Sequence, residues 1–330
     1  LKFSKMQAVI LAAGKSTRTY PLTLTRPKPL LKIANKTLLE HNLNNLNGIV
    51  NEVIIVVGYK KNMIKKCIGN KYKNLKIKYI EQKQQLGTGN ALLAVEKYIK
   101  NDFISLYGDD IYSRNDFKNV IKNKCAILVK KVKNPGLYGV VVQKKAVLAD
   151  LIEKPQKFVS NLVNTGLYKL DRKIFPLIEK LKKSKRNEYE LTDSLKRLAK
   201  KEKIYCINSK NWIPIGYPAD LLKADKMLRG NKNIIGKNSR IYGNAENSSI
   251  GNSCTIKGKV KNSIVMDNTF IDKNSAVENS VVGENVHLSG KVSSAVIADN
   301  VKLKSVTIKS GCKIWPNKRI ENKNITSDVK

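Results

Sequence analysis

The chain has 330 residues, enough for two domains rather than one, and 63 Lys+Arg against 26 Asp+Glu give a formal net charge of +37. Such an excess would suit nucleic acid or an anionic membrane. However, only nine of the cations are Arg, the residue favoured for bidentate and stacked nucleic-acid contacts, while 35 Asn accompany 54 Lys, so the bias reads as solvated surface and argues against nucleic acid. At 42% hydrophobic the chain is no disordered polycation, and its longest apolar runs, 8–13 and 53–57, fall far short of a membrane span. The first residues carry no signal-peptide pattern, so a cytoplasmic protein without membrane partners is expected. Five scattered cysteines (Cys67, Cys125, Cys206, Cys254 and Cys312) lack any C-x-x-C pairing and suit reduced core positions.

Up to about Gly230, β-branched runs alternate with helical patterns. The first strand, predicted over 8–11, runs into a turn of small residues (Ala12, Ala13, Gly14, Ser16) that a phosphate chain or a base can approach closely. Two cations follow, Arg18 and Lys28, as holding a polyphosphate requires. The turn is not a P-loop and lacks G-x-G-x-x-G; taken alone, it equally suits a turn that only packs. Further strands are predicted over 52–57, 77–80, 103–106, 126–132, 138–142 and 166–170. Helices are predicted over 89–99, where Leu92, Val95 and Ile99 recur, and over 188–200, where Leu191, Leu195 and Leu198 do. This alternation argues an α/β fold with a mixed, mostly parallel sheet, and such sheets bind ligands beyond the carboxyl ends of their strands.

After Gly230 the period changes to an aliphatic residue every six positions. The inward set runs Ile235, Ile241, Ile250, Ile256, Val265, Ile271, Val277, Val282, Leu288, Ile297, Leu303, Ile308, Ile314 and Ile320. A larger repeat of about fifteen to seventeen residues is superimposed, beginning with the related segments at 247–250, 262–265 and 279–282. Six fits neither a helix nor an alternating strand. It fits a parallel β-helix of triangular cross-section, with Gly, Asn or Asp at the corners. The pattern resembles hexapeptide-repeat left-handed β-helices. The expected domains are therefore 1–230 and 231–330, with assembly into a homo-oligomer through the β-helix.

The segment Leu11–Leu30 resembles the signature of the sugar-1-phosphate nucleotidylyltransferases: a small-residue turn ending in Thr-Arg, then Pro-Lys-Pro, with Ser16 where many members have a second glycine. The family's other motifs follow in order. Gln82 with Leu86-Gly-Thr-Gly89 resembles the elements that read a pyrimidine base. Leu106-Tyr-Gly-Asp-Asp110 resembles the metal-binding motif. Tyr138-Gly139, Leu151-Ile-Glu-Lys-Pro155 and Val163-Asn-Thr-Gly-Leu-Tyr168 resemble the sugar-binding elements, and Glu188–Asp193 a structural segment.

The resemblance implies a Rossmann-like nucleotidyltransferase domain that joins a nucleoside triphosphate to a sugar 1-phosphate with release of pyrophosphate. It implies nucleotide contacts from Leu11, Ala13, Gly14, Gln82, Gly87 and Thr88, and sugar-phosphate contacts from Gly139, Glu153, Lys154, Asn164 and Thr165. Arg18, Lys28 and Asp109 would be catalytic, with Asp109 holding Mg²⁺. Where many members carry a second metal ligand this chain has Pro214; Asp220 is a candidate substitute, and equally the first-turn acid of a helix running to Leu228. UTP or dTTP with glucose 1-phosphate or N-acetylglucosamine 1-phosphate is the expected pairing. Alternatives are a mannose-1-phosphate guanylyltransferase, a bifunctional enzyme with an acetyltransferase in the β-helix, for which His287 is the only histidine, and a catalytically weak nucleotide-sugar-binding or assembly subunit. Net charge divides as +29 on 1–230 and +8 on 231–330, so the excess lies mostly on the region expected to receive two polyanions.

Overall fold

A computed structural model describes residues 6–309 and 311–330. By contacts the chain forms two compact units, one of residues 1–14 and 39–214, the other of residues 15–38 and 215–330.

The first unit is built on one ten-stranded sheet. Its main strands are β1 (Gln7–Ala12), β2 (Glu52–Val57), β3 (Leu75–Glu81), β4 (Phe103–Tyr107), β5 (Ala126–Lys131), β6 (Gly139–Lys144), β7 (Val147–Glu153), β8 (Leu162–Leu170) and β9 (Tyr205–Asn208). The order is β3-β2-β1-β4-β8-β5-β9-β7-β6, with the two-residue strand Lys71–Tyr72 on the β3 edge. Strands β3, β2, β1 and β4 are mutually parallel, whereas β8 runs antiparallel between β4 and β5. This is a Rossmann-like, mixed α/β sheet. The runs Ala8–Ile10 and Val53–Val57 are wholly buried, as expected of strands covered on both faces.

The helices are α1 (Leu38–Leu46), α2 (Lys61–Ile68), α3 (Thr88–Leu93), α4 (Arg114–Val120), α5 (Phe175–Glu179), α6 (Leu191–Ala199) and α7 (Pro218–Arg229). The helix expected over 89–99 ends at Leu93 and continues as a 3₁₀ turn over Glu96–Tyr98. There the N–H groups of Val95, Tyr98 and Ile99 donate to carbonyls three residues back, and the tighter winding still buries Leu92, Val95 and Ile99. Strand β7 escaped the sequence reading because Asp150 interrupts its apolar run, and β9 because it is only four residues long with Tyr205 and Asn208 exposed. No helix of the described residues is long and apolar enough to cross a membrane.

In the second unit, each turn of residues 234–325 contributes short strands that pair in parallel with their counterparts one turn later. Ile234–Ile235 pairs with Ser249–Ile250, Arg240–Ile241 with Thr255–Ile256, and Asn244–Glu246 with Lys259–Lys261. The inward aliphatics from Ile250 to Ile320 form one continuous core. Ile235 is the correction: it is 48% exposed, because it lies in the first turn, where no earlier coil covers it. Nine asparagines between Asn238 and Asn322 adopt the left-handed conformation, the corner role their side chains tolerate best among residues other than glycine. Part of the chain's asparagine excess thus has a structural cause.

Candidate active site

Chain order reverses in the sheet between β1 and β4, and the crevice at such a switch point is the usual ligand site of an open α/β sheet. Two of the expected motifs leave the sheet there. The Gly108 N–H donates to the Leu11 carbonyl at 2.9 Å, and the Tyr59 N–H to the Ala13 carbonyl at 3.0 Å. A Cβ on Gly108 would lie 2.9 Å from the Ile10 side chain, so the glycine lets the two strand ends close together. Leu11 and Ala13 are buried and Gly14 is exposed.

Asp109 and Asp110, both partly exposed, follow directly. Helix α1 fixes their turn: Asn42 Nδ2 donates to the Asp110 carbonyl at 2.7 Å, and the Tyr112 N–H donates to Asn42 Oδ1. On the other side Ile111 and Ile213 exchange both backbone hydrogen bonds at 3.0 Å, and Trp212 Nε1 donates to Asp110 Oδ2 at 3.1 Å. One residue beyond that bridge on each strand stand Asp110 and Pro214.

The segments expected to read the base lie together. Gln82 is buried, and its Nε2 donates to the Gly87 carbonyl at 3.1 Å and to Asn90 Oδ1 at 2.8 Å. Gly87 has φ of +100°, and a Cβ there would lie 2.8 Å from the Tyr189 carbonyl. The segment around Tyr189 buttresses this turn: Tyr189 N–H donates to Leu86 O, Gly89 N–H to Tyr189 O, and Leu191 N–H to Thr88 Oγ1.

Three of the segments expected to bind the sugar phosphate also lie close together. Gly139 and Glu153 are register partners across the β6–β7 hairpin, and Asn164 Cβ would lie 3.7 Å from a Cβ on Gly139. Lys154 is exposed with φ of +42°, its N–H donating to the Tyr138 carbonyl. Asn164 and Thr165 are buried in β8; Asn164 Nδ2 donates to the Tyr168 hydroxyl at 2.7 Å. Tyr112 donates its hydroxyl to the Thr165 carbonyl at 2.7 Å, tying the Asp109 turn to β8.

Sequence reasoning missed two groups here. Arg186 Nη1 lies 3.7 Å from Glu153 Oε1 and 3.3 Å from Glu190 Oε1. Burial pushes the Glu153 carboxyl up, against the pull of Lys154 and Arg186; burial and then Glu153 itself push the Glu190 carboxyl up. The signal available was the density of charge in Arg186–Glu190, which spacing alone could not direct toward Glu153.

Arg18, Lys28 and Asp220 belong to the second unit. Ser16 precedes the cation loop in a left-handed conformation, φ +53°, which accounts for glycine being usual there; its carbonyl accepts from the Thr19 and Thr23 hydroxyls. Arg18 is exposed, its guanidinium 5.7 Å from the centroid of Tyr217. Lys28 opens a 3₁₀ turn and is 3% exposed. Asp220 stands in the first turn of α7, where its Oδ2 accepts from the N–H groups of Gly216 and Tyr217 at 2.9 and 2.8 Å. In the coil, the His287 ring packs at a tilt against Phe270, centroids 4.7 Å apart, and lines a cavity of about 450 Å³ with Lys302 and Arg319.

Of the candidate metal donors, Asp109 suits a hard cation: it is an oxygen donor at a strand end, reachable by solvent. Pro214 offers none. Among the described residues, one cluster of three possible ligands, Cys125, Asp171 and Glu202, lies at the opposite end of the strands. Burial, with Asp171 and Glu202, pushes the Cys125 thiol up to about 11.

Residues 7–230 match the nucleotidyl transferase family and residues 225–329 the GMPPB C-terminal domain. The bifunctional protein GlmU of Methanocaldococcus jannaschii is 38% identical over 274 residues, 82% of this chain and 61% of that protein; the chain thus spans about three fifths of that relative's length. The UTP–glucose-1-phosphate uridylyltransferase AglF of Haloferax volcanii is 36% identical over 68% of this chain and 97% of its own. A UDP-glucose pyrophosphorylase solved with UDP-glucose shares the fold with a TM-score of 0.61 at 24% identity, covering 68% of this chain and 98% of that one. With two thirds of its length matched to the family and its motifs gathered at the strand ends, the chain belongs to the nucleotidyl transferase family, among the sugar-1-phosphate nucleotidylyltransferases.

Proposed function

We propose that the chain transfers a uridylyl or thymidylyl group from UTP or dTTP to glucose 1-phosphate or N-acetylglucosamine 1-phosphate, releasing pyrophosphate. The observation that carries this reading is the convergence of the small-residue turn and the Asp109 turn at the sheet's switch point, with the Gln82–Gly87 pair and the Gly139–Glu153 hairpin in the same unit. Preference for a pyrimidine rests on Gln82 and the Gly87-Thr88-Gly89 turn, and is supported by the uridylyltransferase relative. The reading assigns the reaction to residues 1–230 and treats residues 231–330 as a left-handed β-helix that mediates self-association, a reading supported by the stacked parallel strands.

The attacking sugar phosphate is already ionised, so no protein nucleophile or base is needed, and catalysis reduces to positioning and charge stabilisation. Asp109 would hold a magnesium ion, which offsets charge on the phosphates; a single carboxylate plus substrate phosphates is an ordinary magnesium environment, so Pro214 does not forbid it. Leu11, Ala13 and Gly14 offer backbone to the nucleotide, Gln82, Gly87 and Thr88 address the base. Glu153 accepts from sugar hydroxyls, Lys154 holds the sugar phosphate, and Gly139, Asn164 and Thr165 shape the pocket. Arg18 favours the departing pyrophosphate and Lys28 the charge building around the α-phosphorus.

The test is a matrix of UTP, dTTP and GTP against common hexose 1-phosphates with Mg²⁺, scored by pyrophosphate release. Turnover with a pyrimidine triphosphate is expected; turnover with GTP and mannose 1-phosphate alone would replace the substrate assignment, and none with any pair would refute the activity.

A further inference from the structure

The loop that carries Arg18 and Lys28 is gripped by the coil through buried charge. Arg26 Nη2 lies 2.5 Å from Asp299 Oδ2, and its Nη1 pairs with Glu284 Oε1. The Thr25 hydroxyl donates to the same Asp299 oxygen at 2.5 Å, and Lys32 Nζ lies 2.5 Å from Asp267 Oδ2. The side chains of Arg26 and Asp299 are 7% and 5% exposed, too little for a surface pair formed by chance.

The three acids have a common position in the repeat. Asp267, Glu284 and Asp299 each stand two residues after an inward aliphatic (Val265, Val282 and Ile297), so the turns stack them in a column. Two of them also hold the coil together: the Asn252 N–H donates to Asp267 Oδ1 at 2.9 Å, and the Glu284 N–H to Asp299 Oδ1 at 2.7 Å. Oδ1 of each therefore fixes the scaffold while Oδ2 reaches the loop, Asp267 Oδ2 also accepting from Asn252 Nδ2 at 3.3 Å. Residues 231–330 contain only eight acids, and three of them stand in this column. Stacked carboxylates repel unless cations separate them, and Arg26 and Lys32 supply those cations.

Lys28 lies between these two anchors, two residues after Arg26 and four before Lys32. We propose that the acidic column of Asp267, Glu284 and Asp299 is a positioning device for nucleotidylyl transfer, setting the place of Lys28 by gripping the chain on both sides of it. This rests on the transferase reading given above. The acids touch no substrate; they act through the loop, and the coil contributes to turnover without chemistry of its own.

The test uses the full-length chain. Asp299→Asn, which keeps size, and Arg26→Gln, which shortens the side chain, each remove a charge and are expected to lower kcat about 10- to 100-fold, the usual penalty for misplacing a catalytic group by about an ångström. KM for the sugar phosphate should stay nearly constant. Arg26→Lys should recover part of kcat, and Glu246→Gln, which breaks the exposed coil pair with Lys261, should leave it unchanged. If Asp299→Asn fails to fold, Lys32→Met on the less buried pair carries the same test. Hydrogen exchange of the 26–32 amides, measured without substrate, should quicken in each charge-removing variant. Unchanged exchange refutes the anchoring; quickened exchange with unchanged kcat refutes the positioning role. A wild-type chain without turnover refutes the transferase reading instead.

Discussion

The turn that is proposed to read the base and the loop that is proposed to hold the phosphates are fixed by opposite means. Leu86–Gly89 is held by neutral backbone hydrogen bonds to Tyr189 and a hydroxyl bond to Leu191. Residues 15–38 are held by ionised side chains on the coil and on α7. Backbone bonds depend on conformation and tolerate side-chain change wherever conformation is preserved. Buried ion pairs depend on side-chain identity and protonation, and fail sharply when one partner is removed. The first region should therefore be vulnerable at its glycines and the second at its charges.

The largest expected effect is at Asp225. Its Oδ1 accepts from the Ala34 N–H at 2.8 Å and the Ser249 hydroxyl at 2.5 Å, while Oδ2 lies 2.7 Å from Arg229 Nε, with both partners of that pair almost fully buried. Asp225→Ala leaves Arg229 buried and unpaired and should cost about 3–5 kcal/mol by denaturant unfolding. A smaller loss would mean that loop, helix and coil are joined mainly by packing.

Gly87→Ala attacks the backbone-held turn. The residue combines φ of +100° with a Cβ position 2.8 Å from a carbonyl oxygen, and about 2–3 kcal/mol of stability should go, together with nucleotide affinity. Titration calorimetry with UTP and unfolding in parallel would show whether the two losses track each other.

Acid should distinguish the regions next. Asp267 is penalised by burial, but Lys32 and the Asn252 amides outweigh this and hold its carboxyl below the usual 3.8. A depressed folded value means stability that is present above pH ~4 and lost as pH falls through the folded value. The melting temperature of the wild type should fall more steeply below pH 4 than that of Asp267→Asn, by no more than about 1 kcal/mol equivalent after solvent screening. Parallel curves would assign the pair no net stabilisation.

The smallest effect is a gain. Ser16→Gly relieves a left-handed non-glycine residue, and after the added chain entropy should stabilise by about 0.5 kcal/mol. A loss would show that the Ser16 carbonyl bonds to Thr19 and Thr23 need the serine's restricted backbone.

Much of this was legible from residue order. The unbroken run Val53–Val57 could only be a covered strand, and the six-residue rhythm from Ile250 to Ile320 could only be a stacked coil, because burial selects residue type at each period. Gln82 and Gly87, five residues apart, meet directly. Less legible were β7, whose apolar run Asp150 interrupts, the four-residue β9, and the solvent exposure of Ile235, which depends on its coil being first. Arg186 beside Glu153 was likewise invisible.

Sequence by itself thus determined the family, the strand ends on which its motifs sit, and the change of architecture after Gly230, since each is a local pattern repeated by local rules. Only tertiary structure decided that Arg26 pairs with Asp299, 273 residues away, and Lys32 with Asp267, 235 away. In a chain with 63 cations and 26 acids, composition makes every lysine a possible partner for any acid. Geometry and burial choose among them.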